Sequence, residues 1–397
     1  MMKKTICPLL VLFLCVSCLE NKDKQVVRDV EVLEMSDFKP VSFLAIKENI
    51  VEKSDLVKLE LTDASLVGQI AQMELVDDFI YILDSKVKTL LLFDKNGSFV
   101  RTIGKRGNGP GEYTSIASFY VDAEENKIGL LDPLALKVHQ YTLQGEYVKS
   151  VSFKDNGYSH IKRMDVLNEH DLCCFTSAGW NEGCGYFVID KSDYTKKEQL
   201  YSYPFLPSGF ISYSVNTSPF CIYDGAVKFV TPFSDSIYCY DGEKVQATYY
   251  LNNGLKEIEP ALLQQYATTA DSDYFSVMKR IKDDGVYTQG LNNYFETERF
   301  IWVEYGIIGN AWVWDKELNE GFVFDGYYST KPYMNNIVYC KENTLVRVWK
   351  NHEIFSYKNA LAEGNVSQSD IPQEWNTLIE NYTEDDNPML LLWKMKK

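Results

Sequence analysis

IAQMELVDDFIYILDSKVKTLLLFDKNGSFVRTI, residues 70–103, breaks into four runs of strand length. The runs are IAQMELV, FIYILD, TLLLFD and SFVRTI; each is rich in β-branched and aromatic residues and is followed by polar turn residues. The turn before the last run, Asp94-Lys95-Asn96-Gly97, has the chemistry of a tight hairpin, where a positive φ is most easily taken by Gly.

The next stretch repeats the plan. From Ile116 it reads IASFYVD, KIGLLD, KVHQYT and EYVKSVSF, and it superposes on the first without a gap at an offset of 48. Asp84 matches Asp132, Phe93 matches Tyr141, Gly97 matches Gly145, Phe99 matches Tyr147 and Val100 matches Val148. Weaker copies follow. An apolar or aromatic residue before Asp closes the third run at Ile189-Asp190, Tyr240-Asp241 and Trp314-Asp315, with steps from Phe93 of 48, 48, 51 and 74. The long last step holds Leu262, Leu263, Tyr266, Tyr274, Phe275, Met278 and Ile281 at helical spacing, which predicts two helices. Four strands per unit at this period is the pattern of propeller blades. The expected fold is therefore all-β: a six-bladed β-propeller with a two-helix insertion between blades four and five.

The sixth unit is degenerate. Residues 336–341 and 345–350 predict its inner strands, and 389–396 another. LVKLEL (56–61) is then available as its outermost strand, so that the opposite terminus closes the ring and removes an open sheet edge. The predicted organisation is a leader over 1–17, a mixed-charge tether over 18–55, and the propeller over 56–397, with the insertion at about 253–290.

The first residues read as a processing signal. Lys3 and Lys4 precede an apolar stretch from Ile6 to Val16, too short to span a bilayer. Val16-Ser17-Cys18 resembles a bacterial lipobox, although Cys15 stands where Leu is usual; it implies lipidation at Cys18 and residence in the outer membrane or elsewhere in the cell envelope. Loss of residues 1–17 moves the formal charge from −16 to −18, and no basic stripe compensates, which argues against nucleic acid as partner. Six cysteines lie beyond Cys18, at 173, 174, 184, 221, 239 and 340. Their spacing shows no disulfide framework. The hairpin reading sets Cys174 opposite Ile189 and away from Cys184, and apolar packing is expected for all six.

FDKNG (93–97) and GKRGNGPGEY (104–113), with the LVGQI entry (66–70) and the DNPML end (386–390), resemble the six-bladed propeller lipoproteins of gut bacteria, related to NHL-repeat and TolB-like propellers. The resemblance spans about residues 50–397. It implies a fold and an address and no reaction.

The Gly107–Tyr113 loop is the sharpest local feature. It lacks the strand-then-helix setting and the Gly-Lys-Ser/Thr of a phosphate loop, and a blade-to-blade connector is the plainer reading. Arg106, Asn108, Glu112 and Tyr113 are candidates to line the channel mouth, and Trp180, in an Ala-Gly-Trp-Asn turn, is a candidate stacking residue. The four histidines have no HExxH spacing, no calcium loop is present, and His139 falls late in a third strand, so neither metal nor cofactor is expected. No Gly-x-Ser-x-Gly elbow supplies a serine nucleophile. Trp302, Trp312 and Trp314 are expected to pack between blades. The expected function is a membrane-anchored binding or scaffolding protein for a peptide, protein or glycan. The alternative is a propeller enzyme (lyase, lactonase or glycan-active hydrolase) using acids at the axial mouth.

Overall fold

The computed structural model describes residues 30–41, 43–158, 161–176, 184–202, 220–231, 233–267, 274–305, 311–324, 337–367 and 371–397. Cys18 and Trp180 lie outside them. Six antiparallel sheets follow one another along the chain. Blade 1 holds Ile70–Val76, Phe79–Asp84, Thr89–Asp94 and Phe99–Ile103, the four runs read from the sequence. Blade 2 starts at Ser118–Asp122, blade 3 at Ile161–Val166, blade 4 at Phe220–Tyr223, blade 5 at Leu291–Glu296 and blade 6 at Ile337–Lys341. These first strands are the innermost, and each blade runs outward strand by strand.

Two-sided burial explains the apolar runs. Along Phe79–Asp84, Tyr81 and Leu83 pack toward blade 2, while Ile80 and Ile82 pack toward blade 6. Each neighbouring pair of blades shares one apolar cluster, six in all, so every blade is buried only by its two neighbours. The repeated polar residues hold turns. Asp84 Oδ1 accepts the amides of Lys86 and Val87 and its other oxygen those of Gly68 and Gln69; Asp132 does the same for Leu134, Ala135, Thr114 and Ser115. Each Asp thus ties a turn to the connector entering its own blade. Gly97, at φ 89°, is required twice over, because a Cβ there would lie 2.2 Å from the Lys58 carbonyl.

The ring closes as expected. Blade 6 pairs Ile337–Lys341, Thr344–Trp349 and Met389–Met395, and Val51–Lys58 lies antiparallel to the last of these. The closing strand begins five residues before the predicted LVKLEL. Exposed Glu52 and Lys53 and half-buried Asp55 disguise it, and Glu52 pairs with Lys394 at 3.2 Å.

The tether expectation is corrected more broadly. Glu31–Glu34 adds to blade 4 as a fifth, parallel strand against Val245–Asn252, and Lys39–Val41 adds likewise to blade 5 against Glu320–Phe324. Helix α1 (Phe43–Ile50) then leads into the closing strand. Leu33, Met35 and Phe38 are buried in the cluster between blades 4 and 5, and the Phe38 ring lies 5.3 Å from Trp312 and 5.7 Å from Trp314. Those two indoles are therefore covered by this strap, while Trp302 packs in the cluster between blades 5 and 6.

The predicted insertion is present as α2 (Pro260–Ala267) and α3 (Tyr274–Asp284), which enclose a small apolar cluster of Leu263, Val277, Met278 and Ile281. A second pair was not anticipated. Helices α4 (Asn351–Ala362) and α5 (Gln373–Glu380) interrupt blade 6 between its second and third strands. Buried Arg347 meets Glu353 at 2.8 Å, and Glu353 also accepts the Lys350 amide, fixing the start of α4. One register differs from expectation: Cys174 stands opposite Phe187, and Ile189 opposite Leu172. The hairpin is centred one residue earlier, which shifts pairing by two and preserves the buried faces.

Candidate functional site

Strand direction divides the connections between two faces of the disc. On one, the turns after the first and third strands of the blades run two to five residues. On the other, chain crosses between blades and between second and third strands, and there lies the 104–117 connector. Both helical pairs are rooted on this second face. In ring order the 104–117 connector, between blades 1 and 2, stands opposite the insertion between blades 4 and 5.

The connector keeps four of the predicted site residues together, and two of them, Glu112 and Tyr113, make contacts within the fold. Lys105–Arg106 pairs in parallel with Glu112–Tyr113. Glu112 folds back over the loop to accept the Gly109 amide at 2.9 Å, with Lys105 3.7 Å away. The Gly109 amide is the main cause holding its carboxyl below the usual range. A Cβ on Gly107 would fall 2.0 Å from the Glu112 carboxylate, so Gly is needed for this fold-back. Tyr113 is buried between blades 1 and 2. Tyr141 donates to the Gly111 carbonyl at 2.7 Å, and Tyr147 packs on Gly111, so the loop rests on the outer strands of blade 2. Arg106 and Asn108 are exposed there.

At the root of the insertion lies a buried carboxyl that the sequence reading missed. Asp235 accepts the Thr288 hydroxyl at 2.6 Å, and Thr288 lies 3.1 Å from the Tyr305 hydroxyl. Glu257, from the strand side of the insertion, accepts the Asp235 amide. Burial pushes the Asp235 carboxyl up to about 7, and Glu257 adds to the rise.

The axis carries a second set. Gln72 in blade 1 donates to the Phe119 carbonyl at 2.6 Å and accepts the Ser118 hydroxyl at 2.7 Å, while Ser118 accepts the Met164 amide of blade 3. Two residues along, the Arg163 guanidinium lies 3.4 Å from Glu74 and 3.5 Å from Asp165. Contacts between blades 1 and 3, which are not neighbours, run across the centre of the ring. Burial first, then Asp165, pushes Glu74 up to about 8 against the pull of Arg163 and Lys341. The signal available in the sequence was parity: Gln72 and Glu74, like Arg163 and Asp165, are polar at alternate positions of a first strand.

A cleft of about 330 Å³ opens between blades 2 and 3 on the short-turn face, lined in part by Lys149, Lys191, Lys197, Glu125 and Asp190. Buried Lys191 meets Glu125 at 2.8 Å and Asp122, and Lys197 meets Asp171 and Asp190, so most of its charge is internally matched. His139 is buried on a third strand with Ser150 Oγ at 2.8 Å, and burial lowers its pKa. Among the described residues no three His, Cys, Asp or Glu side chains gather as metal ligands.

The family model described as Domain of unknown function (DUF4934) matches residues 45–394, and the chain belongs to that family. No curated protein matches. Among solved structures, a candidate exported protein of Bacteroides fragilis NCTC 9343 is 20% identical at a TM-score of 0.71, covering 93% of this chain and 100% of its own. A member of the DUF4221 family from Bacteroides vulgatus ATCC 8482 is 12% identical at a TM-score of 0.51, covering 87% and 97%. At these identities both likenesses bear on the fold.

Proposed function

We propose that this DUF4934 protein is an exported binding protein, anchored in the bacterial outer membrane by lipid on Cys18, that recognises a peptide, protein or glycan on its long-connector face. Kinship with NHL-repeat and TolB-like propellers is part of the same reading. The observation that supports it is the asymmetry of the disc among the described residues: turns of two to five residues on one face, and the 104–117 connector and both helical pairs rooted on the other. Elaborated loops on a rigid scaffold are where recognition concentrates. The formal charge of −16 disfavours nucleic acid.

The test compares the faces. A photo-crosslinking residue is placed at exposed Asn108 or Glu259 on the connector face, and at exposed Asp224 or Lys149 on the other. The same species captured in the native envelope from Asn108 and Glu259, and not from Asp224 or Lys149, is the expected result. Capture confined to Asp224 or Lys149 overturns the assignment of the face. Anchoring is tested separately: Cys18→Ala should release the protein into soluble fractions, and unchanged membrane partition rejects the anchor.

Glu74 supports a second reading, an enzyme of the lyase, lactonase or glycan-hydrolase class. A carboxyl held near 8 beside Asp165 has the character of a general acid. Glu74→Gln should then abolish any turnover found on lactone or glycan panels while sparing crosslinks from Asn108; turnover that survives the change removes this reading.

A further inference from the structure

Two thiols from blades that are not neighbours converge at one backbone carbonyl. Cys221 lies on the innermost strand of blade 4 and Cys340 on that of blade 6. Between them runs the innermost strand of blade 5, ending at Glu296. The Cys340 thiol is 3.5 Å from the Glu296 carbonyl oxygen and the Cys221 thiol 4.0 Å from it. Both are free in the structure. Apolar packing, the plain expectation for every cysteine here, holds for this pair as it does for Cys173: Cys221 belongs to the cluster between blades 4 and 5, and Cys340 packs against that between blades 5 and 6. What sets Cys221 and Cys340 apart is that both sulfurs also reach one backbone carbonyl.

We propose that Cys221 and Cys340 are a disulfide-forming pair, a covalent staple that joins blade 4 to blade 6 across the inner strand of blade 5. The ring's one seam lies in blade 6, whose outer strand comes from the opposite end of the chain. A bond between inner strands on either side of blade 5 holds blade 6 in the ring even when the seam frays. The chemistry is thiol–disulfide exchange. One cysteine, as thiolate, attacks an oxidised dithiol compound such as glutathione disulfide, forming a mixed disulfide and releasing one thiol; the second cysteine then displaces the other thiol. Two protein thiols are oxidised, one disulfide of the oxidant is reduced, and both protons leave with the product thiols. The Cys221 contact and burial hold the Cys340 thiol well above its usual range, so thiolate is scarce in the closed ring. The bond therefore forms quickly during folding and slowly afterward. Its formation in the cell rests on the export reading, since exported compartments supply such oxidants.

The experiment uses the full mature chain. Reduced protein is refolded from urea in glutathione disulfide, free thiols are blocked under denaturing conditions, and peptides are mapped by mass spectrometry. The expected product is a single cross-link between the Cys221 and Cys340 peptides, with the oxidised protein melting about 5 °C or more above its reduced form. Cys340→Ser should fold and lose that redox-dependent shift, while Cys173→Ser should keep it. Both thiols blocked after oxidative refolding, or cross-links to other cysteines in their place, overturns the pair. The same map made on protein taken unreduced from the envelope separates the two readings: a pair that forms in vitro but is reduced in the cell counts against export, not against the pair.

Discussion

The Val67 amide donates a hydrogen bond of 2.8 Å to the Asn387 side chain, joining residues 320 apart in sequence across the propeller's seam. Asn387 is almost wholly buried, and its amide nitrogen donates to the carbonyls of Glu60 and Ser65 at 2.9 and 2.7 Å. One side chain thus satisfies three backbone groups where the last strand of blade 6 meets the entry to blade 1. Asn387→Ala takes the partner from the Val67 amide and the Ser65 carbonyl, while the Glu60 carbonyl keeps the Ser65 hydroxyl; the cost is about 2–4 kcal/mol. Urea denaturation should show the loss as a lower midpoint. Asn387→Asp keeps the acceptor and loses both donors, so it should also destabilise. An unchanged midpoint for the alanine variant would mean that water replaces the side chain and that the seam is held elsewhere.

The strap supplies the next test. Phe38 lies against Trp312 and Trp314 and covers Gly321, so Phe38→Ala opens a gap over the outer strands of blade 5. A loss of about 3 kcal/mol is expected, the low end of the range for a buried Phe because this site is peripheral. Limited proteolysis gives an independent check: cleavage should move into residues 30–41 in the variant and avoid them in the parent. Equal cleavage in both would return the segment to the status of a tether.

The residues that repeat were the ones that could be read. Asp84 and Asp132, Gly97 and Gly145 recur because each blade solves the same local turn problem, and local chemistry is written in consecutive residues. The strap was hidden for the opposite reason. Leu33, Met35 and Phe38 are scattered through a charged stretch, and a parallel edge strand needs no turn beside it to announce it. Glu74 and Arg163 are 89 residues apart, and their meeting depends on ring closure rather than on either strand. For the connector, the sequence located Glu112 but not its direction: only the missing Cβ of Gly107 lets the carboxylate fold inward.

Asp235 should leave a mark on the pH dependence of stability. Its folded pKa, about 7, is raised above its ordinary value of 3.8, so the native state holds a proton that the unfolded chain has already released in between. This group's contribution is therefore most favourable below about pH 4, declines as pH rises toward 7, and is level above that, by at most about 1.4 kcal/mol per pH unit. Carboxyls with lowered pKa values, such as Asp132 and Asp386, slope the other way, so the comparison must be with Asp235→Asn. The amide still accepts the Thr288 hydroxyl but cannot titrate. Relative to the parent, the variant should gain stability steadily between about pH 5 and pH 7. A difference that stays constant across that window means that Asp235 ionises like any exposed carboxyl.

Glu112 and Arg106 stand in different settings on one loop, one bonded within the fold and the other solvated. Glu112 accepts the Gly109 amide and packs over Gly107, while exposed Arg106 stands beside it on the paired two-residue strand. Removing the carboxylate frees the loop from its fold-back, so Glu112→Ala should lower the melting temperature and raise amide exchange at Gly109. Glu112→Gln retains an acceptor without the charge and should recover most of the loss. Arg106→Ala should leave melting unchanged, because the side chain is solvated and its strand pairs through backbone. If the connector face binds an anionic ligand, that same change weakens capture by the crosslinker at Asn108. The two variants therefore separate: one shifts stability first and binding only as a consequence, the other shifts binding alone. A drop in melting temperature with Arg106→Ala, or none with Glu112→Ala, reverses the assignment and makes the carboxylate the group available to a ligand.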